Sequence, residues 1–102
     1  MQIERRRHIR VPGPFTAAVR VGNRTATARV LNLSEGGCYV EGVSAAPAAG
    51  CSVTLAIALP NASTLTVTGE ASFRRPDGYA VLFPDLTDQV KRAIAMLRHN
   101  AL

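Results

Sequence analysis

The stretch "CSVTLAIALPNASTLTVTGEASF", residues 51–73, decides the fold. Cys51, Val53, Leu55, Ile57 and Leu59 fall on alternate positions, and after a break so do Leu65, Val67, Ala71 and Phe73. Successive side chains of a strand point to opposite faces, so each run carries one apolar face and one face of small and hydroxylated residues. The intervening "PNAS" at 60–63 is turn chemistry: proline offers no donor, and Asn and Ser side chains bond their own backbone. The whole reads as two antiparallel strands, each half buried, joined by a short turn.

The same grammar extends in both directions. "FTAAVRV" (15–21) sets Phe15, Ala17, Val19 and Val21 on one face, and "GNR" (22–24) turns the chain into "TATARVL" (25–31). Beyond the pair Gly36-Gly37 a short strand runs from Cys38 to Glu41, and "SAAPAAG" (44–50) loops to the central pair. After residue 73, "RRPDG" is another turn, with Arg74 and Arg75 read as a solvated corner or, as the alternative, as lying beside a ligand, and "YAVLF" (79–83) closes the series. Six strands at regular spacing, each with one apolar face, predict a small antiparallel barrel or sandwich. Closure into a barrel removes exposed strand edges.

Past Pro84 the period changes. Val90, Ala93, Ile94, Leu97 and Ala101 recur at three and four residues, the spacing of one helix face. Thr87 or Asp85 can cap the start, and Arg98 and His99 suit the negative end of the helix dipole. The expectation is a basic arm over 1–13, a barrel over 14–84 and a helix over 87–101 packed across it, all one domain.

Composition narrows the chemistry. The charged N-terminus lacks the apolar centre of a signal peptide, and no apolar run reaches the roughly 20 residues of a membrane span. A cytoplasmic domain without membrane contact is expected. Cys38 and Cys51 are too few for a disulfide scaffold or a zinc site and read as reduced core residues. His8 and His99 have no cluster of ligating residues around them in sequence, so neither a metal nor a cofactor is expected. No nucleophile is paired with a base, which argues against an enzyme.

Two motifs carry the remaining information. "RRRHIR" (5–10) places Arg5 and Arg6 ahead of Arg10 in a chain of formal net charge +5, and "NLSEGG" (32–37) supplies Asn32, Ser34 and Gly37. A charged run alone is usually a solvated tail, and NxSxxG alone is usually a turn. Together and in this order, ahead of and within a six-stranded pattern, they resemble the PilZ domain family. Its pattern is RxxxR, often RRxxxR, followed downstream by [D/N]xSxxG. "RVPGPFTAAVRV" resembles that family's first strand, "GYAVLFPDLT" its last strand and exit, and a terminal helix follows.

The resemblance implies a six-stranded β-barrel that binds cyclic di-GMP between the arginine arm and the second motif. It assigns ligand contacts to Arg5, Arg6, Arg10, Asn32, Ser34 and Gly37, with Arg7 and His8 in the variable interior of the first motif. The ligand chemistry fits. Guanine presents O6 and N7 as paired acceptors that an arginine fork meets with two parallel hydrogen bonds. Asn32 and Ser34, two positions apart, would point the same way and accept from guanine N–H groups or hold the loop closed. Gly37 would let the backbone approach the ligand or take positive φ. Ligand binding would rearrange the arm and signal to a downstream protein; the oligomeric state stays open.

Two rival readings remain from the residues. One is an adaptor of the same fold that binds protein and no nucleotide. The other is a small barrel that binds RNA or single-stranded DNA. Such proteins stack bases on aromatic side chains, whereas Phe15, Tyr39, Phe73, Tyr79 and Phe83 fall mostly on expected core faces.

Overall fold

The computed structural model describes residues 10–42, 47–60 and 62–100. Six strands and a helix follow in order: β1 (Phe15–Val21), β2 (Arg24–Leu31), β3 (Gly37–Glu41), β4 (Ser52–Ala58), β5 (Thr64–Arg75), β6 (Gly78–Leu82) and α1 (Asp88–Asn100). The strands close into a barrel in the order β1-β2-β3-β6-β5-β4. Every neighbouring pair is antiparallel, and β1 pairs with β4 to shut the ring.

The hairpin that opened the sequence reading forms as its alternation requires. Leu55 lies opposite Val67 and Ile57 opposite Leu65, so one face of both strands turns inward together. Val30, Val40, Val53, Leu55, Ile57 and Val81 have no solvent exposure and fill the barrel. Removing such a side chain from water is worth about 1.5–3 kcal/mol each. Between them lie the outward threonines: Thr54 and Thr68 face each other across β4 and β5 at 3.2 Å.

Helix α1 lays its apolar stripe on this body. Ile94 is buried in the core, while Val90, Ala93 and Leu97 pack against it half-buried. Thr87 caps the helix: its Oγ1 accepts from the Val90 backbone N–H at 3.2 Å, and Asp88 adds negative charge to the first turn. Of the two cap candidates in the sequence, Thr87 is therefore the one used. Thr87→Ala is expected to cost about 1 kcal/mol, read as a lower urea midpoint at unchanged slope.

Two sequence expectations need correction. Phe73 was placed on the inner face with Leu65, Val67 and Ala71, but it is 55% exposed. The cause is a bulge: Ala71 pairs with Val81 and Arg74 pairs with Tyr79, so Ser72 and Phe73 together oppose Ala80. One extra residue on β5 reverses the alternation after Ala71. Cys51, just ahead of β4, is half-buried and not a core residue, whereas Cys38 is buried as expected; both thiols are free. Burial pushes the Cys38 thiol up to about 12, which leaves it protonated. Phe15, Tyr79 and Phe83 are buried, so most of the five aromatic residues lie in the core as expected, while half-buried Tyr39 joins Phe73 on the outside.

Candidate functional site

The site begins with a tie of one residue pair. Val11 and Leu33 exchange backbone hydrogen bonds, Val11 N–H to Leu33 carbonyl at 2.6 Å and Leu33 N–H to Val11 carbonyl at 2.9 Å. Both side chains are buried in the core, so the tie is also held by packing. Its effect is to fix the chain just after Arg10 against the middle of "NLSEGG". The first arginine motif and the second motif thus meet at Arg10, Asn32 and Ser34. Arg5, Arg6, Arg7 and His8 lie outside the described residues.

Asn32 and Ser34 do not point the same way, contrary to the expectation from their spacing. Asn32 has φ 53°, a left-handed conformation that breaks strand alternation. Asn and Asp are the residues other than glycine that visit this region readily, so backbone geometry by itself restricts the position. The Asn32 side chain is exposed while Ser34 is buried.

Ser34 closes the loop. Its N–H donates to the Gly37 carbonyl at 2.9 Å, its hydroxyl donates to the same oxygen at 3.2 Å, and its Oγ accepts from the Gly36 N–H at 3.2 Å. Of its two expected roles, the hydroxyl performs the loop-holding one. Gly37 is required by strand packing: a Cβ there would collide with the Val81 carbonyl oxygen of β6.

Above this loop the outer face of the barrel forms a cavity of about 570 Å³. Leu31, Tyr39 and Ala80 are cross-strand neighbours on β2, β3 and β6 and line it, as do Gly37 and its partner Leu82. Glycine and alanine keep the floor low. Arg10, Asn32 and Ser34 make one wall; Phe73, Arg75 and Asp77 contribute the other. Such a volume, with apolar surface and a few polar groups, is that of a small-molecule site.

At the far wall the sequence offered Arg74 and Arg75 only as the alternative to a solvated corner, and gave no sign of the rings around them. Arg75, which is exposed as expected of a solvated corner, holds its guanidinium carbon 5.3 Å from the Phe73 ring centroid and 6.0 Å from that of Tyr39. The Tyr39 hydroxyl donates to Asp77 Oδ1 at 2.6 Å. Desolvation first, and then the Asp77 carboxylate, raises the Tyr39 phenol above its ordinary range, while the Arg75 charge pulls the other way. The phenol therefore stays a donor. Glu41, also on the cavity, is engaged by Arg29 at 2.6 Å. Both acids thus have partners within the protein, and among the described residues Arg10 and Arg75 are the cations that line the cavity.

Among the described residues no group of three or more His, Cys, Asp or Glu could hold a metal ion, and no helix is long and apolar enough to cross a membrane. No curated protein is significantly similar to the chain in sequence. In fold it is similar to the Bacillus subtilis inhibitor of motility (MotI/DgrA), with a TM-score of 0.73 at 19% sequence identity. That likeness covers 97% of this chain and 52% of the other, so the chain spans about half the length of that protein. The PilZ domain family model matches residues 4–98, which include both motifs, all six strands and most of α1. The chain belongs to the PilZ domain family, whose members are in general receptor domains for cyclic di-GMP.

Proposed function

We propose that this chain is a cyclic di-GMP receptor, and that the ligand occupies the cavity on the outer face of β3 and β6. The observation that carries the reading is the Val11–Leu33 tie, which brings Arg10 beside Asn32 and the Ser34 loop at one wall of that cavity. The ligand has two phosphates, two guanines and no positive group. Arg10 is suited to a phosphate or a guanine O6/N7 edge, and the exposed Asn32 amide to guanine N–H groups. Arg5 and Arg6, named as contacts by the family motif, would complete the grip from the arm. The ligand would draw the arm onto the barrel and create a composite surface for a downstream protein, with no covalent chemistry in the domain.

Isothermal titration with cyclic di-GMP, GTP and cyclic GMP tests this. The expected result is saturable heat with cyclic di-GMP and little with the mononucleotides, together with shifts of the Arg10 and Asn32 resonances. Absence of heat and of shifts would point to the adaptor that binds only protein. A steep salt dependence with oligonucleotides, with indifference to cyclic di-GMP, would point to nucleic acid. The exposure of Tyr39 and Phe73 removes one objection to that last reading. Both nonetheless line one concave cavity and form no extended track, which suits one compact ligand.

A further inference from the structure

The wall opposite Arg10 holds an arginine that is already oriented. A solvated arginine samples many rotamers, whereas Arg75 rests against two rings at cation–π distance. Tyr39 is anchored by its hydrogen bond to Asp77, and Phe73 is turned outward by the bulge. A guanidinium held against rings keeps in-plane N–H donors for an acceptor pair. The neighbouring carboxylates are engaged elsewhere: Asp77 accepts the Tyr39 hydroxyl, and Glu41 pairs with Arg29.

The ligand class proposed above is two-fold, with one guanine at each end, and among the described residues each of two walls of the cavity carries one arginine. We propose that Arg75 is a second guanine-reading residue, donating to the O6 and N7 edge of the base that Arg10 and Asn32 do not hold. This rests on the cyclic di-GMP reading and deepens it: the two walls each read one base. Phe73 and Tyr39 position the guanidinium. The site then rejects an adenine at either end, because adenine presents a donor at N6 where guanine presents the O6 acceptor.

The test is calorimetric titration of the wild type, Arg75→Ala and Arg75→Lys with cyclic di-GMP and with the mixed guanine–adenine cyclic dinucleotide. The wild type is expected to prefer cyclic di-GMP by about tenfold or more. Arg75→Ala is expected to bind cyclic di-GMP about tenfold more weakly and to lose the preference, since adenine can then sit at the vacated wall. Arg75→Lys keeps the charge without the planar fork and is expected to leave the preference lost. Arg75 is exposed, so an unchanged melting temperature serves as the control. If Arg75→Ala keeps both affinity and preference while Arg10→Ala loses affinity, this inference is overturned and the receptor reading stands. Lost affinity with preference intact also overturns it, since Arg75 would then supply charge alone. If the wild type binds neither dinucleotide, both readings fall.

Discussion

Gly37→Ala is expected to lower the stability of the domain by about 1–3 kcal/mol, the usual range for forcing extra volume into a packed position. The added methyl would collide with the Val81 carbonyl oxygen and come within 3.3 Å of the Leu82 Cα. Both obstacles are backbone, so no side-chain rotation relieves them, and β3 and β6 must separate where β3 begins. For a domain of this size that loss corresponds to a fall in melting temperature of about 4–8 °C per kcal/mol. The damage reaches the ligand wall as well. The Gly37 carbonyl is the acceptor for both Ser34 donors, so moving residue 37 loosens the loop that carries Asn32. Affinity for cyclic di-GMP should therefore fall even well below the new melting temperature. Thermal unfolding and titration on the same sample check the two effects, and a melting temperature equal to that of the wild type would contradict the close approach of the strands.

Arg10→Ala should give the opposite pattern, weak binding on an intact fold. The side chain is exposed, whereas the adjacent tie between Val11 and Leu33 is made by backbone and buried side chains, so little stability is at stake. One well-made bidentate contact is worth about 1–3 kcal/mol, and the expected loss is ten- to a hundredfold in affinity. Arg10→Lys should recover only part of it, because an ammonium offers charge without the fork. The remaining binding should also respond less to added salt, one cation having left the site. Titrations of the three proteins at two ionic strengths check this, and equal affinities would remove Arg10 from the contact surface.

The barrel was legible because its inner face is made of period-two runs long enough to leave no other reading. Val53 to Ile57 and Leu65 to Ala71 can bury one face only as strands, and the register between them follows from which residues must be inside. Thr87 and the stripe through Ile94 were legible for the equivalent reason in a helix. Legibility ended where one residue altered the period. Nothing in "ASFRR" marks the bulge that turns Phe73 outward, so the aromatic wall and the setting of Arg75 were hidden together. The left-handed φ at Asn32 likewise separates two side chains that simple alternation would align. The meeting of Arg10 with Asn32 depends on a bridge a single pair long, too short to leave a pattern in sequence, and it was anticipated only through the resemblance to a family.

The extra residue in β5 has a consequence for how such a pocket can change. Point substitutions at 73 or 75 alter what the far wall offers a ligand, while the interior, complete at Ala71 and resuming at Tyr79, is untouched by them. Loss of a single codon between Ala71 and Arg74 restores regular pleating, and its effect depends on which residue goes: without Ser72 the ring of Phe73 takes the outward place opposite Ala80, whereas without Phe73 the guanidinium of Arg75 loses the nearer of its two rings. A shorter β5 would thus keep or forfeit this aromatic support according to which of the two codons is lost.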